Sequence, residues 1–143
     1  MYKHTQFGKL SMTILFGAVI LIVALGSILG WHPVGIIVLM ILIFCIPLFY
    51  CLTVLVNESY VEILFGIGLI KKRFKTKDIV QVLTVRNSWL SGWGIRWLFI
   101  GTWLYNVSGL DAVEIIMSNR KRYRIGTDEP NELVKAITSV MKI

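Results

Sequence analysis

Hydrophobic and polar positions change their rhythm once along this chain, between Val56 and Asn57. From Leu10 to Val56 there is no Lys, Arg, Asp or Glu. Two apolar runs, residues 10–30 and 34–56, predict two transmembrane helices. At ~1.5 Å per residue, about 20 residues match a hydrocarbon core about 30 Å thick. The link Trp31-His32-Pro33 is short enough to demand an antiparallel hairpin. Pro47 predicts a kink, because its ring removes one helix hydrogen bond. Gly26 and Gly30 predict close helix approach, within the hairpin or between two chains. The first run exceeds the roughly 7–15 residues of a signal peptide, so a retained anchor is expected. His4 and His32 read as plain loop residues, and residues 1–9 as a tail.

After Val56 the period becomes two. Val61, Ile63 and Phe65 share one face of a strand and Glu62 the other. Phe65-Gly66-Ile67-Gly68 predicts a turn, and a return strand carries Ile70 and Phe74 inward. Further strands are predicted at 80–85, near 95–100, at 112–117 and at 122–125, with turns at 106–109 and 118–120. In the strand at 112–117, Val113, Ile115 and Met117 alternate with an exposed Glu114. A helix closes the chain. Thr127 or Asp128 is placed to cap it, Pro130 opens it, and Glu129 and Glu132 favour the positive end of its dipole. Leu133, Ile137, Val140 and Met141 form its apolar stripe, with Lys135 and Lys142 off it. The fold class is a membrane α-helical hairpin (residues 1–56) plus an α+β domain (57–143). That domain is an antiparallel β-roll or partial barrel capped by a C-terminal helix.

Gly92-Trp93-Gly94-Ile95-Arg96, Tyr105-Asn106-Val107-Ser108-Gly109 and Arg124-Ile125-Gly126-Thr127-Asp128-Glu129-Pro130 carry a family resemblance. On these motifs most of 57–143 resembles the bacterial pleckstrin-homology-like (PH-like) domains in their membrane-anchored form. The resemblance implies seven strands in two sheets, a helical cap and a non-enzymatic role. The apolar Leu98, Phe99 and Ile100 depart from the family pattern.

Charge sharpens the picture. Net charge is +7, and mean hydropathy is +0.73. All but two of the 15 Lys and Arg and all 8 Asp and Glu follow Val56. The hairpin turn carries no cation, so the positive-inside rule places both termini in the cytoplasm of a bacterial inner membrane. Anionic lipid at the inner leaflet is then a simpler partner for the basic domain than nucleic acid, which is not expected. Lys71, Lys72, Arg73, Lys75 and Lys77 are the expected lipid contacts, four of them on one strand face. The plain alternative is a solvated face.

Trp89, Trp93, Arg96, Trp97 and Trp103, with Phe99 and Tyr105, are candidates for a partner or interface contact. About half of these tryptophans are expected in the core, with Trp89 and Trp93 at the surface. Cys45 and Cys51 fall on different faces of the second apolar run and read as small apolar residues. No nucleophile–base set and no phosphate loop is present, and no catalytic residue, cofactor or metal is expected. The sequence therefore predicts a binding module for protein, peptide or lipid. The alternative is self-immunity against a membrane-active bacteriocin. The ligand and the oligomeric state stay open.

Overall fold

The computed structural model describes residues 1–98 and 101–141. The chain opens with a strand, β1 (Tyr2–Phe7), where a tail was expected. Helix α1 (Lys9–Leu29) and helix α2 (Pro33–Phe49) follow and pack against each other. Gly30, at φ 91°, ends α1, and the His32 ring accepts a 3.3 Å hydrogen bond from the Val34 amide to start α2. Trp31 folds back over Gly26, where a Cβ would meet its ring at 2.9 Å. Gly26 thus makes room for the turn's own indole, rather than for a neighbouring helix. No residue of α1 or α2 is buried. Among the described residues, α1 alone is long and apolar enough to cross a membrane; α2 has 17 residues.

The second apolar run does not stay helical to Val56. Residues Cys51–Val56 form strand β2, which pairs antiparallel with β1 from Phe7 opposite Cys51 to Tyr2 opposite Val56. Pro47 weakens the last helical turns, and β2 supplies the β-branched Thr53, Val54 and Val56. The run reads as continuous because Leu52, Val54 and Val56 fill the core while the half-buried second face carries Cys51, Thr53 and Leu55, so no charged alternation marks it. This β1–β2 pairing places the outer ends of both helices side by side.

Strand β3 (Tyr60–Phe65) and strand β4 (Ile70–Lys75) complete a four-stranded sheet in the order β1-β2-β3-β4. The second sheet contains β5 (Ile79–Arg86), β6 (Gly94–Trp97), β7 (Thr102–Asn106), β8 (Asp111–Met117) and β9 (Arg122–Gly126), ordered β5-β8-β9-β7-β6. The β8–β9 hairpin inserts between β5 and β7, so β7 and β9 run parallel, unlike the expected all-antiparallel roll. The strand expected near 95–100 ends at Trp97; Phe99, Ile100 and Lys142 lie outside the described residues.

Helix α3 (Pro130–Val140) packs on β5, β8 and β2 and buries Leu133 and Ile137 completely. Its start differs from either predicted cap: Glu129 occupies the cap position, while the Thr127 hydroxyl accepts from the Glu129 amide at 3.1 Å. Val61, Ile63 and Phe65 meet Val113, Ile115 and Ile125 in one core. Among the described residues three α-helices and two sheets make this an α+β fold.

Candidate functional site

Four separate segments meet where the helices leave the sheets. The Gly8 amide donates to the Tyr50 carbonyl at 2.8 Å, closing the gap between the two helix feet. The Ser11 hydroxyl donates to the Val107 carbonyl, fastening α1 to the loop before β8. The Ile67 amide donates to the Pro47 carbonyl at 3.1 Å, fastening the β3–β4 turn to α2. Gly66 holds that turn at φ 51°, with the carbonyls of Pro47 and Leu48 occupying the space a Cβ would need. Around this foot Phe7, Ile67, Leu69, Trp89 and Leu90 are each between 61% and 73% exposed. They come from β1, the β3–β4 turn and the turn after β5. Large apolar side chains clustered in the open mark an interaction surface.

Beside this collar of exposed Phe7, Ile67, Leu69, Trp89 and Leu90 lies an open groove of about 640 Å³. Ile14 and Leu15 of α1 and Phe49 of α2 form one wall, and Leu90, Ile95 and Arg96 the other. The outer wall is well fixed. The Ser88 hydroxyl accepts from the Leu90 amide at 3.4 Å, and the Trp93 indole N–H donates to the Gly109 carbonyl at 3.2 Å. Gly92, at φ 69°, lets the Arg96 guanidinium lie against the backbone; a Cβ there would meet it at 3.1 Å. Among the described residues Arg96 has no carboxylate partner.

The basic run is less uniform than its spacing suggests. Lys71, Lys72, Arg73 and Lys75 of the edge strand β4 are all exposed, as is Lys77 beyond it. Arg73, however, is engaged. It reaches Glu62 with Nη2 at 2.9 Å and Nε at 3.2 Å, and its guanidinium lies 4.3 Å from the Tyr60 ring centre. Lys72 reaches toward Tyr123, 6.0 Å from the ring centre. Register then separates the cations. Ile70 pairs with Phe65, which pairs with Leu52 beside the hairpin foot, whereas Lys75 pairs with Tyr60 at the far end. At about 3.3 Å per residue, Lys75 lies about 16 Å farther along the strand than Ile70. Lys77 follows it in a single 3₁₀ turn.

The aromatic cluster also divides. Trp89 and Trp93 line the groove. Trp97 and Trp103 stack at 6.1 Å between ring centres and 9° between planes, at the opposite end of the β6–β7 ladder from Gly94 and Asn106. None of the four is buried, which corrects the expectation that half fill the core. Tyr105, Phe65 and Phe74 take that role instead.

Further pairings escape sequence reading because they join distant segments. His4, far from a loop residue, lies on β1 with Nε2 2.6 Å from Asp128 and Nδ1 3.3 Å from Glu129. The Tyr2 hydroxyl donates to Glu129 at 3.4 Å. Burial, then the Glu129 carboxylate, pushes the Tyr2 phenol up to about 12. Glu114, expected on an open strand face, is buried. It accepts from Arg124 Nε at 2.7 Å, with Arg122 at 3.7 Å, and Arg124 also donates to Asn87 at 3.2 Å. Cys45 lines the groove, and Cys51 is buried at the start of β2 rather than in a helix. Among the described residues no group of three or more His, Cys, Asp and Glu is arranged to hold a metal ion. Compared with protein-family models and with curated proteins, the chain matches none.

Proposed function

We propose that the α1–α2 hairpin sits in a bacterial inner membrane and holds the α+β body on the cytoplasmic leaflet as a non-enzymatic binding module. The observation that carries this is the bare hairpin. Neither apolar helix has a residue buried by the rest of the described chain, and the collar at their foot extends the same apolar surface onto the body. Lipid is the solvent that suits both. Helix α2 spans about 26 Å, at the short end for a crossing, and interfacial Trp31 and Tyr50 suit its ends. A cleavable leader fits poorly, since β1 precedes α1 and is paired into the first sheet.

Two packed sheets with a C-terminal helix support the resemblance to PH-like domains. The departures are nine strands among the described residues and the parallel pairing of β7 with β9. With the collar committed to lipid, the stacked Trp97 and Trp103 and the distal Lys75 and Lys77 are left for a partner arriving from the cytoplasm. The test is membrane fractionation combined with cysteine labelling. The chain should stay in the pellet after alkaline carbonate washing. An impermeant maleimide should label Trp31→Cys from the periplasmic side and Lys121→Cys only after the membrane is opened, with native Cys45 and Cys51 as the blank. Release by carbonate, or labelling of Lys121→Cys in intact cells, would overturn the proposal.

A further inference from the structure

We infer that the groove between the hairpin and segment 89–96 is a binding site for one anionic phospholipid, its acyl chain against the helices and its phosphate on Arg96. The inference rests on the membrane placement proposed above. Ile14 and Leu15 lie five and six residues after Lys9, so the inner wall begins within about 9 Å of the polar end of α1. That depth straddles the headgroup and the upper acyl chain. A groove of about 640 Å³ lies within the range of small-molecule sites, which combine apolar walls with a few placed polar groups. Here the walls are Ile14, Leu15, Phe49, Leu90 and Ile95, and the charged group is Arg96.

Charge complementarity selects the occupant. Among the described residues Arg86, Arg96 and Arg120 have no carboxylate partner, whereas Arg73, Arg122 and Arg124 each reach a glutamate; of the unpaired three, Arg96 is the one that lines the groove. Its guanidinium rests on Gly92, a contact that any side chain at that position would disturb. The planar fork of arginine suits phosphate oxygens, which accept its parallel N–H donors. The Leu90 amide bond to Ser88, the Trp93 indole bond to Gly109 and the pairing of Gly94–Arg96 with β7 fix the outer wall. Cys45, half-buried, also lines the groove.

Native mass spectrometry of the detergent-solubilised full chain tests this. Phosphatidylglycerol and phosphatidylcholine with identical acyl chains are the probes. One phosphatidylglycerol should be retained about tenfold more strongly than phosphatidylcholine, whose phosphate is already neutralised by its own choline cation, which Arg96 would repel. Arg96→Gln should abolish that preference, the worth of one charge-assisted contact. Ile14→Trp, which fills the groove from an exposed helix position, should remove the tightly held lipid of either kind. Equal retention of the two lipids, or an unaltered preference in Arg96→Gln, would overturn the inference. A co-purifying peptide displaced by Ile14→Trp would also overturn it. Carbonate washing of the same preparations separates the two claims: a chain that stays in the membrane without lipid preference refutes the groove alone, and a chain that washes out refutes the membrane placement as well.

Discussion

Gly66 shows how much of this architecture hangs on single residues. It holds φ at 51°, donates its amide to Cys51 at 2.8 Å, and lies under the carbonyls of Pro47 and Leu48. An alanine there meets the left-handed backbone penalty of about 1–2 kcal/mol and also collides with the helix end. Backbone atoms cannot swing aside as a flexible side chain would. Gly66→Ala should therefore lower stability by at least about 2 kcal/mol, read as a fall in Tm of the detergent-solubilised chain. Gly68→Ala is the control. It also has a positive φ, 85°, but a Cβ there would find only Leu64 at 3.7 Å. If both variants fell equally, the contact with the helix end would contribute nothing. Sequence alone marks both glycines as turn residues and cannot rank them, because the difference comes from residues about twenty positions earlier.

At the scale of elements, β1 is the piece whose attachment is most open to test. It is an edge strand, paired only with β2, and its other ties are side chains: Gln6 to the Ser108 carbonyl at 3.0 Å, and Tyr2 and His4 to Asp128 and Glu129 before α3. The Tyr2 phenol is raised by burial and by Glu129, so the folded chain holds this proton more tightly than the unfolded chain does. Its contribution is complete below about pH 10, the ordinary phenol value, and is lost as pH rises toward about 12. Tyr2→Phe should flatten the loss of stability across that window in denaturant titrations. An unchanged pH slope would show that β1 is not pinned through this group.

The elements that sequence reveals are those whose pattern is local. Val61, Ile63 and Phe65 against a basic β4, and Leu133 with Ile137 on α3, declare themselves by alternation or by helical spacing. β2 does not, because its half-buried second face carries no charge, so its sequence is nearly as apolar as a membrane helix. β1 does not, because its one pairing lies about fifty residues away. Glu114 looked exposed for a related reason. Alternation puts it opposite Val113 and Ile115, but the arginines of β9 cover that face. The candidate site was legible in part: the Trp-rich segment stood out, whereas Phe7, Ile67 and Leu69 join it only through the fold.

The whole molecule turns the basic run from a patch into a gradient. If the collar meets lipid, β4 starts at the leaflet and runs away from it, with Ile70 level with the foot and Lys75 level with Tyr60. Screening at physiological ionic strength acts over about 8 Å. Lys75, about 16 Å along β4 from Ile70, then lies about two screening lengths beyond the strand's membrane end. Lys71 and Lys72, adjacent to that end, keep the roughly 1 kcal/mol available to a cation beside an anionic surface. Spin labels placed singly at Leu69, Lys71, Lys75 and Lys77, in nanodiscs containing anionic lipid, would read this directly. The label at 69 should be relaxed by oxygen, which concentrates in lipid, and those at 75 and 77 by a water-soluble nickel chelate, with 71 between them. A body lying on its side, with the whole basic run against the leaflet, would instead protect 71, 75 and 77 from the chelate alike. In the graded outcome the distal lysines face the cytoplasm beside no lipid phosphate, and their charge is left for an acidic partner.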